Sequence, residues 1–332
     1  MQLDYLKRRQ FIALLGSAAV ARPLMARAQQ PRIPVVGVIR TTSSDDAPTL
    51  MIPFMQGLRG EGFVEGQNVT IDFRAAENVY DRLPIIVADL VAKHVDVIVT
   101  TGAVSATVAA KAATSTIPIV FVIGSDPIEN GLVKSLNRPE GNVTGVMLTS
   151  GELIAKRLQM LQEIVPGAGT FGFLVNPNNP NALREETRLR AVASGLGLAL
   201  VVVSAAADSE LEDAFSALVR SRIGGFVYSS DVFFQSRAPR LVELAARHRL
   251  PGMYTRQDAV AAGGLVAYGS RPVDTYRTAG IYAGRILKGA KPADLPVQQP
   301  THFQLFLNLK TAKALGLEVP TSILLRADEV IE

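Results

Sequence analysis

The sequence predicts an α/β protein of two doubly wound lobes joined by a crossing hinge. Residues 95–127 read as one β-α-β unit, and a second unit of similar design occupies residues 225–258. A chain of 332 residues with 48% hydrophobic content is also large enough for two cores.

The first unit opens on Val95, Val97, Ile98 and Val99, a short β-branched run without polar alternation. That is the pattern of a strand buried on both faces. It stops at Thr100-Thr101-Gly102, passes through an Ala-rich helical stretch at 104–113, and returns as a buried strand at 119–123. This strand ends in Gly124, Ser125, Asp126 and Pro127. In open parallel sheets ligands lie beyond the carboxyl ends of strands, near helix N-termini. Thr101, Gly102, Ser105, Ser125 and Asp126 are therefore candidate binding residues. In the second unit a strand at 225–228 runs into Ser229, Ser230 and Asp231. A helix over 235–249 leads to Leu250-Pro251-Gly252-Met253-Tyr254, then Thr255-Arg256-Gln257-Asp258. Two halves with polar strand ends predict two lobes facing one cleft.

The other elements follow in order. Val35 to Ile39 reads as the first buried strand, ending in the polar loop 40–46. A helix over 49–61 places Leu50, Phe54 and Leu58 on one face. Residues 68–74 alternate as a strand with one wetter face, and 81–94 form a helix with Pro84 in its first turn. A short helix is expected at 132–136 and a strand at 142–147. Residues 148–151 are small and polar and suit a crossing between lobes. The second lobe then starts with a helix at 152–165 and a strand at 170–175 that runs into Asn176-Pro177-Asn178-Asn179-Pro180-Asn181. Asn179 or Asn181 is expected to cap the helix that follows, to about residue 194. Strands at 198–203, 265–269 and 303–307 and helices at 208–220, 274–287 and 309–315 complete the pattern, with a second crossing at Arg271-Pro272. On this reading residues 32–149 and about 272–300 form the N-terminal lobe. Residues 150–271 and about 301–332 form the C-terminal lobe.

The net charge of +4 sits entirely in residues 1–28, which carry Lys7, Arg8, Arg9, Arg22 and Arg27 against Asp4. The rest of the chain is neutral, so the basic balance is no argument for nucleic-acid binding. Arg8-Arg9, the apolar stretch 11–20 and Ala26-Arg27-Ala28 read as a twin-arginine-like signal peptide cleaved after Ala28. That predicts a periplasmic protein. The absence of cysteine excludes disulfides, thiolate metal sites, thiol catalysis and a lipidated cysteine. With no long apolar span elsewhere, no stable membrane anchor is expected.

No catalytic or cofactor motif is found in a fitting context. Gly167-Ala168-Gly169-Thr170-Phe171-Gly172 matches G-x-G-x-x-G but leads into a strand, whereas the dinucleotide motif must follow one. No phosphate loop and no G-x-S-x-G elbow occurs. His94, His248 and His302 are far apart in the sequence, and no metal site is expected. An exported hydrolase is thereby disfavoured, and neither catalytic residues nor cofactors are predicted. Asp126 and Asp231, each at a strand end, read either as captors of a cationic ligand group such as an ammonium or as simple caps. Thr101 and Ser105 flank a helix start that suits a carboxylate, or again cap it.

Several segments together resemble the substrate-binding proteins of ABC importers, a family that includes binders of tryptophan and other aromatic amino acids. They are Arg8-Arg9-Gln10-Phe11-Ile12, Gly62-Phe63-Val64-Glu65-Gly66-Gln67-Asn68-Val69 and Tyr80-Asp81-Arg82-Leu83-Pro84. Thr116-Ile117-Pro118-Ile119-Val120-Phe121, Ser135-Leu136-Asn137-Arg138-Pro139, Val175-Asn176-Pro177-Asn178-Asn179-Pro180 and Leu287-Lys288-Gly289-Ala290-Lys291-Pro292 extend the match along essentially the whole chain. The resemblance implies a type I periplasmic-binding fold: two Rossmann-like lobes that trap a small-molecule solute by closing. It implies a monomer that delivers the solute to a membrane permease and its ATPase, with a periplasmic ligand sensor as the alternative. By position, Thr101, Gly102, Ser105, Ser125, Asp126, Asn176, Asn178, Asn179, Asp231 and Tyr254 are expected at the ligand. Two departures add Arg40 and Arg256: the loop 40–46 is more charged than the usual form, and Thr255-Arg256-Gln257 replaces aromatic or acidic residues. An arginine in either place would recognise an acid or a dicarboxylate.

Overall fold

Buried β-branched runs alternate with amphipathic segments to build a five-stranded sheet and a second, composite sheet in which a three-stranded and a four-stranded part meet at one bridge, seen in a computed structural model that describes residues 32–43, 47–148 and 153–332. The expected signal peptide and residues 149–151 of the expected first crossing lie outside the described residues. The first sheet joins β1 (Val35–Arg40), β2 (Thr70–Ala75), β3 (Val97–Gly102), β4 (Ile119–Ile123) and β5 (Val143–Met147) in the order β2-β1-β3-β4-β5. Every neighbouring pair is parallel. β3, β4 and β5 are buried along their whole length, the outcome required of strands without polar alternation. Helices α1 (Ala47–Gly60), α2 (Leu83–Ala92) and α3 (Val104–Ala113) connect them. Leu83, Val87 and Leu90 of α2 and Ala106 and Ala110 of α3 fill one face of the sheet, while Leu50, Phe54 and Leu58 of α1 fill the other.

The second sheet begins after α4 (Leu153–Ile164) with β6 (Thr170–Val175). It adds α5 (Ala182–Gly195), β7 (Ala199–Ser204), α6 (Leu211–Arg220) and β8 (Phe226–Tyr228). β6 is central, with β7 and β8 parallel on either side. Next come α7 (Val232–Ser236), α8 (Ala238–His248), β9 (Met253–Tyr254), α9 (Gln257–Ala261) and β10 (Val266–Ser270). A parallel bridge from Phe226 to Gly252 links β8 to the β9 edge. The chain then returns to the first sheet as α10 (Pro272–Leu287), which packs along α1. That contact needs two glycines. A Cβ on Gly280 would stand 2.0 Å from the Phe54 carbonyl oxygen, and one on Gly57 2.0 Å from that of Arg277. After α10, Gln298 pairs with Val146 beside β5. The chain crosses back to form β11 (Phe303–Asn308), antiparallel to β10, then α11 (Leu309–Leu315), α12 (Thr321–Leu324) and β12 (Glu329–Ile331). The Ser270 hydroxyl donates to the Leu148 carbonyl, tying two of the crossings together.

The structure corrects three local expectations. Residues 132–136 form an irregular, bent segment instead of a helix. The helix expected over 235–249 is two helices, α7 and α8, broken at Arg237. Pro239 causes the break: it has no N–H for a helix arriving from upstream and is tolerated only in a first turn, where it stands in α8. Neither Asn179 nor Asn181 caps α5 through its side chain; Asn179 Oδ1 accepts from the Asn181 N–H at 2.9 Å. Among the described residues no helix is long and apolar enough to cross a membrane.

Candidate functional site

The carboxyl ends of β3, β4, β6 and β8 supply the polar loops of the candidate site, and local geometry fixes each loop. Gly102 has φ +101°, and a Cβ there would stand 2.3 Å from Thr41 Oγ1. Only glycine combines that backbone with that approach. Thr41 Oγ1 in turn accepts from the Ala103 N–H at 3.0 Å and pins the start of α3 to the end of β1. Thr101 is buried, and its hydroxyl donates to the Ile39 carbonyl at 3.4 Å, inside the sheet. Ser105 Oγ and Thr42 Oγ1 are buried and have no hydrogen-bond partner.

Asp126 Oδ1 accepts from the backbone N–H groups of Ile128 and Glu129 at 2.7 and 3.1 Å and closes the turn after β4. Asn130 Nδ2 donates to Ser125 Oγ at 3.3 Å in the same turn. Asp126 shares a cavity with Glu129, Glu185 and Ser230, whereas Asp231 lines a different one. Asp126 is thus a turn cap, and it and Asp231 line neighbouring cavities that share Gly124, Ser125, Asn181 and Ser230.

Asp231 is only 2% exposed. Its Oδ1 accepts from Asn176 Nδ2 at 3.1 Å and from the Phe233 N–H at 2.8 Å, while Oδ2 is buried without a hydrogen bond of acceptable geometry. Burial raises the Asp231 pKa above the ordinary carboxylate value, against the amides of Asn176 and Asn179, the Phe233 N–H and the Arg237 charge. Asn176 Oδ1 accepts from the Asn178 N–H at 3.0 Å, so the asparagine loop presents the donor that holds Asp231. Asp231 lines a narrow seam together with Asn179 and Ser230; Gly102, Gly124 and Ser125 line it from the first sheet. The two sheets nearly touch here, since a Cβ on Gly124 would lie 3.7 Å from the Ser230 carbonyl oxygen.

Asn176 and Phe233, the partners of Asp231 Oδ1, line a separate cavity of about 490 Å³. Asn78, Tyr80 and Asp81 line it from the loop after β2, and Asn176, Asn178 and Phe233 from the second sheet. The sequence does not single out Asn78, Tyr80 or Phe233, which line this cavity. The sequence places Tyr80 only in a family-like segment and gives Phe233, between Asp231 and the helix expected over 235–249, no role. The available signal was an aromatic residue two places after Asp231.

A half-buried carboxyl and a buried guanidinium stand near the seam. Glu185 Oε2 accepts from the Ser230 N–H at 2.8 Å. Burial pushes its carboxyl up to about 7, against that N–H and the Arg157 charge. Arg157, 1% exposed, donates from Nε to the Tyr268 carbonyl at 2.8 Å, and neither Nη has a partner. Burial lowers its pKa. The sequence carried a signal for Arg157: it stands with Ile154, Leu158 and Leu161 at the spacing of an apolar helix face.

The remaining candidates separate from Asp231. Tyr254 is 1% exposed in the core of the second sheet, with rings of Phe226 and Tyr228 against it at 6.0 and 6.2 Å, and is no cleft residue. The two-residue strand β9 is buried throughout, which places this tyrosine in the core. Arg40 and Arg256 share a small cavity near the crossing with Gln235 and Tyr276. Arg40 is buried and donates to the Ser43 carbonyl and the Tyr276 hydroxyl; Arg256 pairs with Asp258 at 2.6 Å.

Two α/β sheets whose polar strand ends meet across a seam define a two-lobed binder of small solutes. The chain belongs to the family of ABC transporter substrate binding proteins, whose model matches residues 35–331. Members of that family bind solutes and are not enzymes. A tyrosine-binding protein of Clostridioides difficile (strain R20291) is 30% identical over 266 residues, 80% of this chain and 76% of that protein. The solved structure of an ABC domain in complex with L-Trp from Streptococcus pneumonia is 26% identical, with a TM-score of 0.80 over 90% of this chain and 99% of that one. The ligand-free, open structure of a substrate binding protein with adhesive properties from Clostridium difficile is also 26% identical over 90% and 99% of the two chains, with a TM-score of 0.65.

Proposed function

We propose that the protein is the periplasmic receptor of an ABC importer, that it captures a zwitterionic amino acid between its two lobes, and that it hands this solute to a membrane permease. The observation that carries the reading is Asp231. A carboxylate held by two donors, with its second oxygen buried and unbonded, is costly unless a ligand donor meets it. An α-ammonium group supplies that donor. The unpartnered hydroxyls of Thr42 and Ser105, near the start of α3, suit the α-carboxylate, which the helix dipole also favours. Ser125 and the loop of Asn176, Asn178 and Asn179 frame the same seam.

In this reading residues 32–149 and about 272–300 are one lobe, residues 150–271 and about 301–332 are the other, and they rotate about the crossings. The greater likeness to the L-Trp complex than to the open, ligand-free relative supports taking this structure as the closed form. Across the seam Arg184 Nη1 donates to the Glu129 carbonyl at 2.9 Å and Arg188 Nη2 to Glu129 Oε1 at 3.0 Å, contacts that closure would make. Residues 1–28 would direct export and be removed after Ala28, leaving a monomer free in the periplasm.

Calorimetry of the purified protein against the standard L-amino acids tests the reading. Binding of at least one, with a smaller radius of gyration by small-angle scattering in its presence, is expected. Absence of binding to every amino acid would overturn it.

A further inference from the structure

We infer that Arg40 and Arg256 form a side-chain subsite for a carboxylate, so that the solute this protein keeps is an acidic amino acid. The inference rests on the receptor reading above and deepens it by naming the substrate class.

The seam at Asp231 adjoins the cavity that the two arginines line. Leu148, Val232 and Gln235 line both spaces. The link is helix α7, which the Asp231 side chain caps and which carries Gln235 one turn further on; the Gln235 N–H donates to the Asp231 carbonyl at 3.1 Å. Four residues of helix advance about 6 Å. An acidic side chain of two or three carbons covers that span, so a ligand with its ammonium at Asp231 reaches the arginines with its far end. The second cavity has the size and the charge for that end. It holds about 30 Å³, room for one or two water-sized groups. A carboxylate fits such a space and an indole does not. Among the described residues that line it, two carry a guanidinium and none is an acid.

The two cations come from different sheets. Arg40 ends β1 and is 5% exposed; its Nε donates to the Ser43 carbonyl at 3.2 Å and its Nη1 to the Tyr276 hydroxyl at 3.4 Å. Its direction is thus set before a ligand arrives. Arg256 immediately precedes α9 and donates from Nη2 to Asp258 Oδ2 at 2.6 Å. The Asp258 side chain is more than half exposed, so water screens that pair. A guanidinium presents parallel N–H donors that match the two oxygens of a carboxylate. Like charges brought to one cavity from two sheets repel, and an anion between them removes the repulsion. A bound carboxylate thus supplies specificity and at the same time ties the two sheets together.

The test is calorimetry of the wild type, Arg256→Gln and Arg40→Gln against L-glutamate, L-aspartate, L-glutamine, L-leucine and L-tryptophan. The wild type should bind L-glutamate or L-aspartate more tightly than the other three. L-Glutamine, which keeps the shape of glutamate without its charge, should bind roughly tenfold or more weakly, the usual worth of a hydrogen bond to a charged group. Arg256→Gln should weaken the acidic ligand by a similar factor and leave L-glutamine nearly unchanged. Arg40→Gln should act alike if its circular dichroism is native; Arg256→Gln, whose side chain is 29% exposed in the wild type, decides the matter if it is not. A preference for L-glutamine, L-leucine or L-tryptophan overturns the inference while leaving the receptor reading intact. Equal affinity for the acids in wild type and Arg256→Gln does the same. Binding to none of the five also overturns the inference, and binding to none of the standard L-amino acids overturns the receptor reading itself.

Discussion

Asn176 donates its side-chain amide to one oxygen of Asp231 at 3.1 Å and leaves the other oxygen buried without a partner. The two residues end different strands, β6 and β8, so the pair exists only because those strands are neighbours. Asp231→Asn keeps the shape and removes the charge. Affinity for a zwitterionic ligand should fall by roughly 2–5 kcal/mol, the usual loss when one partner of a desolvated charge pair is removed. Asp126→Asn, which alters a turn cap, should leave affinity within about 0.5 kcal/mol of wild type. Titration calorimetry on both variants checks this, and an equal loss in the two would contradict the assignment.

Glu185 gives a pH dependence. Its carboxyl is raised from the model-compound 4.5 to about 7 by burial between the two sides of the seam. A folded-state pKa above the unfolded one means that the folded state binds the extra proton. The stability linked to this group is therefore full below about 4.5 and is lost as pH rises to about 7. The loss is at most about 3 kcal/mol. Glu185→Gln should remove this slope, which denaturant unfolding at pH 5 and pH 8 will show.

Tyr254→Phe separates core from cleft. The phenol is buried with no partner for its hydroxyl, against the site where Gly252 leaves room for it. Removing an unsatisfied buried hydroxyl should raise stability by about 1 kcal/mol. Ligand affinity should not change. A thermal melt and a binding isotherm on the same sample decide it.

Gly280→Ala tests the helix contact beneath the first sheet. The added methyl would stand 2.0 Å from the Phe54 carbonyl, so α1 and α10 must separate. Overpacking of this kind costs typically 1–3 kcal/mol. The melting temperature should drop by several degrees, whereas Gly195→Ala, with open space around it and no left-handed backbone, should cost less. Equal shifts for the two would refute a special role for the close approach.

The sequence by itself determined the parallel sheets. Runs such as Val97–Gly102 and Ile119–Ile123 lack polar alternation and can only be buried on both faces. It also determined that Asp231 and the asparagine loop end strands, because residues that break strands follow apolar runs directly. It did not determine which strand ends meet. Asp126 and Asp231 occupy equivalent places in two similar units, yet the order of strands brings Asn176 to Asp231 and Glu185 to the side of Asp126. Tyr80 was out of reach for the same reason. It follows a strand of ordinary appearance, and only the left-handed turn at Glu77 and Asn78 carries it to the cavity that Asn176 and Phe233 line. Local pattern fixes what a residue must be buried against, whereas the partner across a seam depends on strand order and loop direction, which sequence neighbours do not encode.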